Sequence, residues 1–145
     1  MCEDSLTHRL SMGITALERK HRKYMKRALA DKGVTGVVYS YITTIKNNHG
    51  ISQDWLSDFL GVDKSQVARK VRELEVAGYV FREVTPNNRR QYMLSLTESG
   101  EWLHGVITGI AMEWEALIGR DIDEGDISAA VKTVERIINN LESAT

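Results

Sequence analysis

Apolar residues recur at intervals of three and four along most of this chain, and that spacing predicts helices. Leu6, Leu10, Ile14, Leu17, Tyr24, Met25 and Leu29 predict a first helix from residue 6 to about residue 30, with a slip near His21. Lys32-Gly33 breaks it. From Val34 to Lys46 the Val, Ile and Thr content favours a strand. The period decides for a helix, because Val34, Val38, Ile42 and Ile45 keep helical spacing. Asn47-Asn48-His49-Gly50 reads as a loop.

Two short helices joined by a tight turn follow. Ser52 is an N-cap, able to accept a hydrogen bond from a free N–H of the first turn. Ile51 and Leu56 have the spacing of a hydrophobic staple, and Leu56, Phe59 and Leu60 are expected to face inward. Gly61 stops the helix, and Val62 plugs the turn. Asp63 caps the next helix with Gln66 three residues on, and Val67, Val71 and Leu74 give its inward face. Ser65, Gln66, Arg69, Lys70 and Arg72 are left outward, and Gly78 ends the helix.

The period then changes. Tyr79–Val84 and Tyr92–Leu96 are rich in β-branched and aromatic residues and predict two strands. Residues 85–91, Thr-Pro-Asn-Asn-Arg-Arg-Gln, form the tip between them, with the one proline of the chain and two arginines. Helix, turn, helix and hairpin in that order describe a helix-turn-helix with a β-wing, a device that reads duplex DNA. Gln and Arg on the second helix suit adenine and guanine edges. Arginine on a slender tip suits a narrow, electronegative minor groove. A solvated helix face and a solvated hairpin are the competing readings of the same residues.

Thr97 caps a long helix to about Gly119, with Leu103, Val106, Ile107, Ile110, Trp114, Leu117 and Ile118 along one stripe. Gly105 and Gly109 share a face, which predicts either a close neighbouring helix or local bending. Arg120–Gly125 is an acidic loop. Asp123 and Asp126 form a charged capping pair for a last helix to about Glu142. Ile127, Val131, Val134, Ile138 and Leu141 line one side of it, too far from the hairpin in sequence to share its core. Terminal amphipathic helices of this kind suit pairing with a second subunit.

Leu74-Glu75-Val76-Ala77-Gly78, Asn88-Arg89-Arg90 and Leu96-Thr97-Glu98-Ser99-Gly100 resemble the signature elements of the MarR family of bacterial winged-helix regulators. The core of the resemblance covers roughly residues 50–100, and the flanking helices fit the family layout. One departure stands out: the family's wing acid is Asn88 here, so a carboxylate that would help hold the wing arginine is missing. The resemblance implies a homodimer joined through the first and last helices, most simply a repressor released by a small-molecule effector. A dimer would set two recognition helices about 34 Å apart on a pseudo-palindrome. Three regions follow: residues 1–32 and 98–145 for dimerisation, and 33–97 as the DNA-binding lobe. The expected fold class is mainly α with a small β-hairpin wing.

Charge sharpens this picture. The chain has 145 residues and a net charge of −1, which by itself argues against nucleic acid. The charge is segregated: residues 1–96 hold 16 Lys/Arg against 10 Asp/Glu, and residues 97–145 hold 3 against 10. Local fields steer ligands, so the DNA face belongs on the first part. Arg19–Arg27 carries six Lys/Arg, open to three readings: a solvated face, phosphate contacts, or the lining of an anionic effector pocket. No apolar run reaches the ~18 residues of a membrane span, and no secretory pattern opens the chain. A lone cysteine, Cys2, predicts no internal disulfide and a cytoplasmic setting.

The candidate DNA-binding set is therefore Ser52 and Gln53 at a helix N-terminus against phosphate. Ser65, Gln66 and Arg69 are placed on bases, Lys70 and Arg72 on backbone or base edges, and Asn88, Arg89 and Arg90 on the wing. Tyr24, Tyr39, Tyr41 and Trp102 are candidates to line an effector pocket, with plain core packing as the competing reading. No phosphate-cradling glycine loop, nucleophile elbow or paired acids appear, so no enzyme activity and no cofactor is expected. His8, His21, His49 and His104 are scattered, and His104 near Glu101 is a thin echo of a zinc-sensing pair. The rival readings are a winged helix that docks a protein and binds DNA without preference, and a redox or metal sensor acting through Cys2 or His104.

Overall fold

The structure, a computed structural model, describes residues 5–34 and 38–144, and the side chains of all of these except 88–91. Helix α1 (Leu6–Asp31) starts at Ser5, whose hydroxyl accepts from the His8 N–H at 3.0 Å. Met25 and Leu29 are its buried residues, and Leu6, Leu10, Ile14 and Leu17 are exposed. The second helix begins later than its period predicts: α2 spans Tyr39–Asn47, and Val34 is not helical. Val34 is buried for another reason. Gly33 adopts φ +79°, the Gly33 N–H bonds the Ala30 carbonyl, and the Val34 N–H folds back on the Leu29 carbonyl at 2.9 Å. That is a Schellman closure of α1, which tucks an apolar side chain under the helix end.

The loop predicted up to Gly50 gives way to a short strand, β1 (Ile51–Ser52). Helices α3 (Gln53–Leu60) and α4 (Lys64–Val76) follow, then strands β2 (Val80–Thr85) and β3 (Asn88–Leu96). The sheet is antiparallel in the order β1-β3-β2. The wing is a longer ladder with a shorter tip than the sequence predicts. Pairing runs from Val80↔Leu96 to Val84↔Tyr92, then jumps to Thr85↔Asn88. Pro86 and Asn87 alone form the turn, and residues 88–90 lie in β3. The irregularity at Val84/Thr85 lets the ladder resume beyond the point where alternation fails.

Residues of α1 to α5 share one core: Met25, Leu29, Ile42, Ile45, Leu56, Val67, Val71, Leu74, Val80, Leu94, Leu103, Ile107 and Ile110. Phe59 does not join it. It is 61% exposed, and Ser57 is buried instead, its hydroxyl donating to the Val62 carbonyl across the turn. A two-turn helix has room for a narrow inward stripe, which Leu56 and Ser57 occupy. Helix α5 (Glu98–Gly119) begins where Thr97 Oγ1 accepts from the Gly100 N–H at 3.1 Å.

By compactness the chain divides into two units, Met1–Ala111 and Met112–Thr145. The second contains α6 (Glu124–Ser143), capped by Asp123, which accepts from the Gly125 N–H at 2.6 Å. No residue of α6 is buried, and Ile127, Val131, Val134, Ile138 and Leu141 form an exposed apolar row. No helix among the described residues is long and apolar enough to cross a membrane.

Candidate nucleic-acid interface

The two helices at the heart of the interface are held at every end. Ser52 Oγ accepts from the Trp55 N–H at 3.1 Å and starts α3. Gly61, at φ +63°, ends it in the left-handed conformation that its missing Cβ permits. Asp63 Oδ1 accepts from the Ser65 N–H and, at 3.0 Å, from the Ser65 hydroxyl. The capping contact thus goes to Ser65 rather than to Gln66. At the far end Gly78, at φ +84°, turns the chain, and the Tyr79 N–H returns to the Leu74 carbonyl at 2.9 Å. The Thr97 N–H donates to the Tyr79 carbonyl at 3.0 Å, and the Thr97 hydroxyl donates to the Gly78 carbonyl. A Cβ on Gly100 would lie 2.1 Å from the Tyr79 oxygen, so α5 meets the end of α4 at backbone contact.

Between these anchors Val67, Val71 and Leu74 are buried, and Ser65, Gln66, Arg69 and Arg72 are exposed on the opposite face. Lys70 is less free than its position predicts. Its ammonium lies 2.6 Å from Glu73 Oε2, and its side chain is about a quarter exposed. That hydrogen bond from Lys70 holds the Glu73 carboxyl below the usual carboxylate range. Exposed pairs of this kind exchange readily. Lys64 similarly faces Asp54 at 3.2 Å. Gln53 is half-buried, and its Oε1 accepts from Arg82 at 3.4 Å. Ser65 keeps lone pairs for a donor but has committed its proton to Asp63.

Arg82 is the residue that sequence reasoning missed. It shares strand parity with buried Val80, and a charged residue at an inward position of a half-buried strand was the available signal. Trp55 and Phe59 were a second surprise, their rings stacked at 4.9 Å and 11° on the outer side of α3. On the wing, the backbone places Asn88, Arg89 and Arg90 in β3 immediately after the turn rather than on a broad tip. The contacts expected of their side chains lie outside the described residues, as does Cys2.

Of the effector candidates, Tyr41 is buried, Tyr24 and Tyr39 pack partly against the core, and Trp102 is 58% exposed. Burial raises the phenol pKa of Tyr39, and of Tyr41, where Arg69 pulls the other way. His21 meets Tyr39 edge-on at 5.8 Å. Among the described residues, one recess of about 330 Å³ is lined by Gly33, Val38, Glu73, Leu74 and Tyr79, among others. Another, of about 320 Å³, is lined by Ile51, Trp55, Thr85, Tyr92 and Met93, among others. No group of three or more His, Cys, Asp or Glu among the described residues could hold a metal ion.

A model of the MarR family matches residues 32–91, the span from the end of α1 into the wing. A crystal structure of MarR is 33% identical, with a TM-score of 0.81 over 99% of this chain and 95% of that one. This chain belongs to the MarR family. MarR proteins are transcriptional regulators, and this chain is one of them, not an enzyme. The transcriptional repressor MprA of Escherichia coli (strain K12) is 31% identical over 108 residues, 72% of this chain and 60% of MprA. Streptococcus pneumoniae FabT, solved in complex with DNA, is 20% identical, with a TM-score of 0.81 over 96% of this chain and 99% of FabT. At that identity FabT shows the shared winged-helix fold alone.

Proposed function

We propose that this MarR-family regulator binds a pseudo-palindromic DNA operator sequence-specifically, as a homodimer. The observation that carries the reading is the outward face of α4, where Gln66, Arg69 and Arg72 stand exposed on a helix fixed at both ends. A rigid row of donors is what base recognition needs, since each bidentate contact is worth about 1–3 kcal/mol only if its geometry is held. The two-residue wing tip, followed in β3 by Asn88, Arg89 and Arg90, supports a minor-groove contact. The complex of FabT with DNA supports the same use of the same fold.

Dimerisation is supported by the apolar row of α6 and by exposed Leu6, Leu10, Ile14 and Leu17 on α1. Residues 1–32 and 98–145 supply those surfaces, and 33–97 form the DNA-binding lobe. Repression follows if an occupied operator excludes polymerase, and it is the activity named for MprA. A small-molecule effector would release the protein by favouring a half-site spacing that the operator does not match. The site of action is the cytoplasm.

The exposed Trp55–Phe59 stack favours a second reading, a winged helix that docks a protein partner. Fluorescence anisotropy on a labelled duplex from upstream of the protein's own gene separates the two. Binding by one dimer per site that survives random competitor DNA is expected. Binding that vanishes equally into competitor at every salt concentration leaves phosphate attraction alone and sinks the operator reading.

A further inference from the structure

We propose that Arg82 is a positioning residue: it turns the Gln53 amide so that its NH2 faces outward, as a donor to a DNA phosphate at the start of α3. The inference rests on the DNA-binding reading given above.

Arg82 belongs to β2 and is held from three directions. Its Nη2 lies 2.8 Å from Glu75 Oε2 on α4. Its Nη1 donates to Gln53 Oε1 on α3 at 3.4 Å. Its Cζ sits 5.1 Å from the ring centroid of Tyr92 on β3, within cation–π range. Both sides of the Arg82–Glu75 pair are about 30% exposed, so the pair is shielded more than a surface bridge. The short bond to Glu75 and the Tyr92 ring fix the plane of the guanidinium. The longer bond to Gln53 then has a fixed origin.

The chemistry of the two groups sets the orientation. A guanidinium has donors and no acceptor. An amide beside it must turn its oxygen inward, because its NH2 would meet N–H with N–H. The NH2 of Gln53 therefore faces away from Arg82. Gln53 is the first residue of α3, where backbone N–H groups lack helical partners and the helix dipole is positive. An outward amide donor at that end adds to a surface already suited to an anion. Lysine could not do the same work, because a point charge has no planar fork to serve Glu75 and Gln53 together.

A double-mutant cycle on the full-length protein tests this, with the upstream duplex as probe and random DNA as control. Gln53→Ala is expected to weaken operator binding about fivefold, the size of one lost hydrogen bond. Arg82→Met is expected to weaken it similarly alone, and by less than about twofold when Gln53 is already Ala. Arg82→Lys should recover only part of the loss. In DNA-free protein, the side-chain amide NMR signals of Gln53 should shift in Arg82→Met. A merely structural role for Arg82 predicts losses that multiply, and that result overturns the proposal. So does a Gln53→Ala protein that binds as tightly as the wild type. If Arg82→Met does not fold, Glu75→Gln enters the cycle in its place, with the same expectations. Wild-type protein that prefers no sequence sinks the DNA reading and this proposal together. Multiplying losses in a protein that does bind its operator sink the proposal alone.

Discussion

Lys46 and Glu101 lie 55 residues apart in sequence and meet at 2.6 Å, tying α2 to the first turn of α5. The hydrogen bond from Lys46 is the main reason the Glu101 carboxyl is held below its ordinary value, and nearby His104 and His49 push the same way. A depressed carboxyl stabilises the fold at pH values above its unfolded pKa, and that contribution fades as pH falls through the folded pKa. Glu101→Gln should therefore lower the urea midpoint at pH 7, and by a smaller amount near pH 3. An equal deficit at both pH values would mean that packing, not ionisation, is at stake.

Gly100, Gly105 and Gly109 look alike in sequence and should behave oppositely. A Cβ at Gly100 would collide with the Tyr79 carbonyl, whereas Gly105 and Gly109 have nothing within 4 Å. Gly100→Ala should destabilise by about 1–3 kcal/mol, the usual cost of overpacking. Gly105→Ala should stabilise by up to about 1 kcal/mol through helix propensity. Thermal denaturation of the two variants decides it, and a destabilised Gly105→Ala would point to a partner helix against that face.

The base-reading role proposed for Arg69 separates from phosphate attraction in a single comparison. Arg69→Ala should cost about 1–3 kcal/mol on the operator and much less on random DNA. Equal losses on both would remove Arg69 from the base-reading set.

The row on α6 gives the prediction for assembly. Val131→Asp with Ile138→Asp would place unpaired carboxylates in a subunit interface, at a cost of several kcal/mol. Sedimentation should then report a monomer. Operator affinity should fall on the order of a hundredfold or more, because one half-site no longer helps the other. A double variant that remains dimeric would assign dimerisation to other surfaces.

What the sequence made legible follows from the range of each signal. Caps and helical periods are local, so Ser52, Gly61, Asp63, Gly78, Thr97 and Asp123 all sit where their chemistry placed them. The four-residue apolar spacing from Val34 to Val38 misled, because a helix cap buries a valine as well as a helix face does. Strand β1 is two residues long and exists only by pairing with Leu94 and Met93, some forty residues on, so no local pattern announces it. The same holds for Arg82. Its parity was visible, but Glu75, Gln53 and Tyr92 come together only once helices and sheet have packed.

The junction of Gly78, Tyr79, Thr97 and Gly100 also bears on how this protein could be switched. Two hydrogen bonds and a backbone contact without room for a methyl group weld the end of α4 to the start of α5. A weld of that kind transmits motion and does not absorb it. The end of α4 and the first turn of α5 are thereby tied together. If the outward face of α4 meets DNA as proposed, a displacement of the first turn of α5 would reach that face as a rotation of the joined pair.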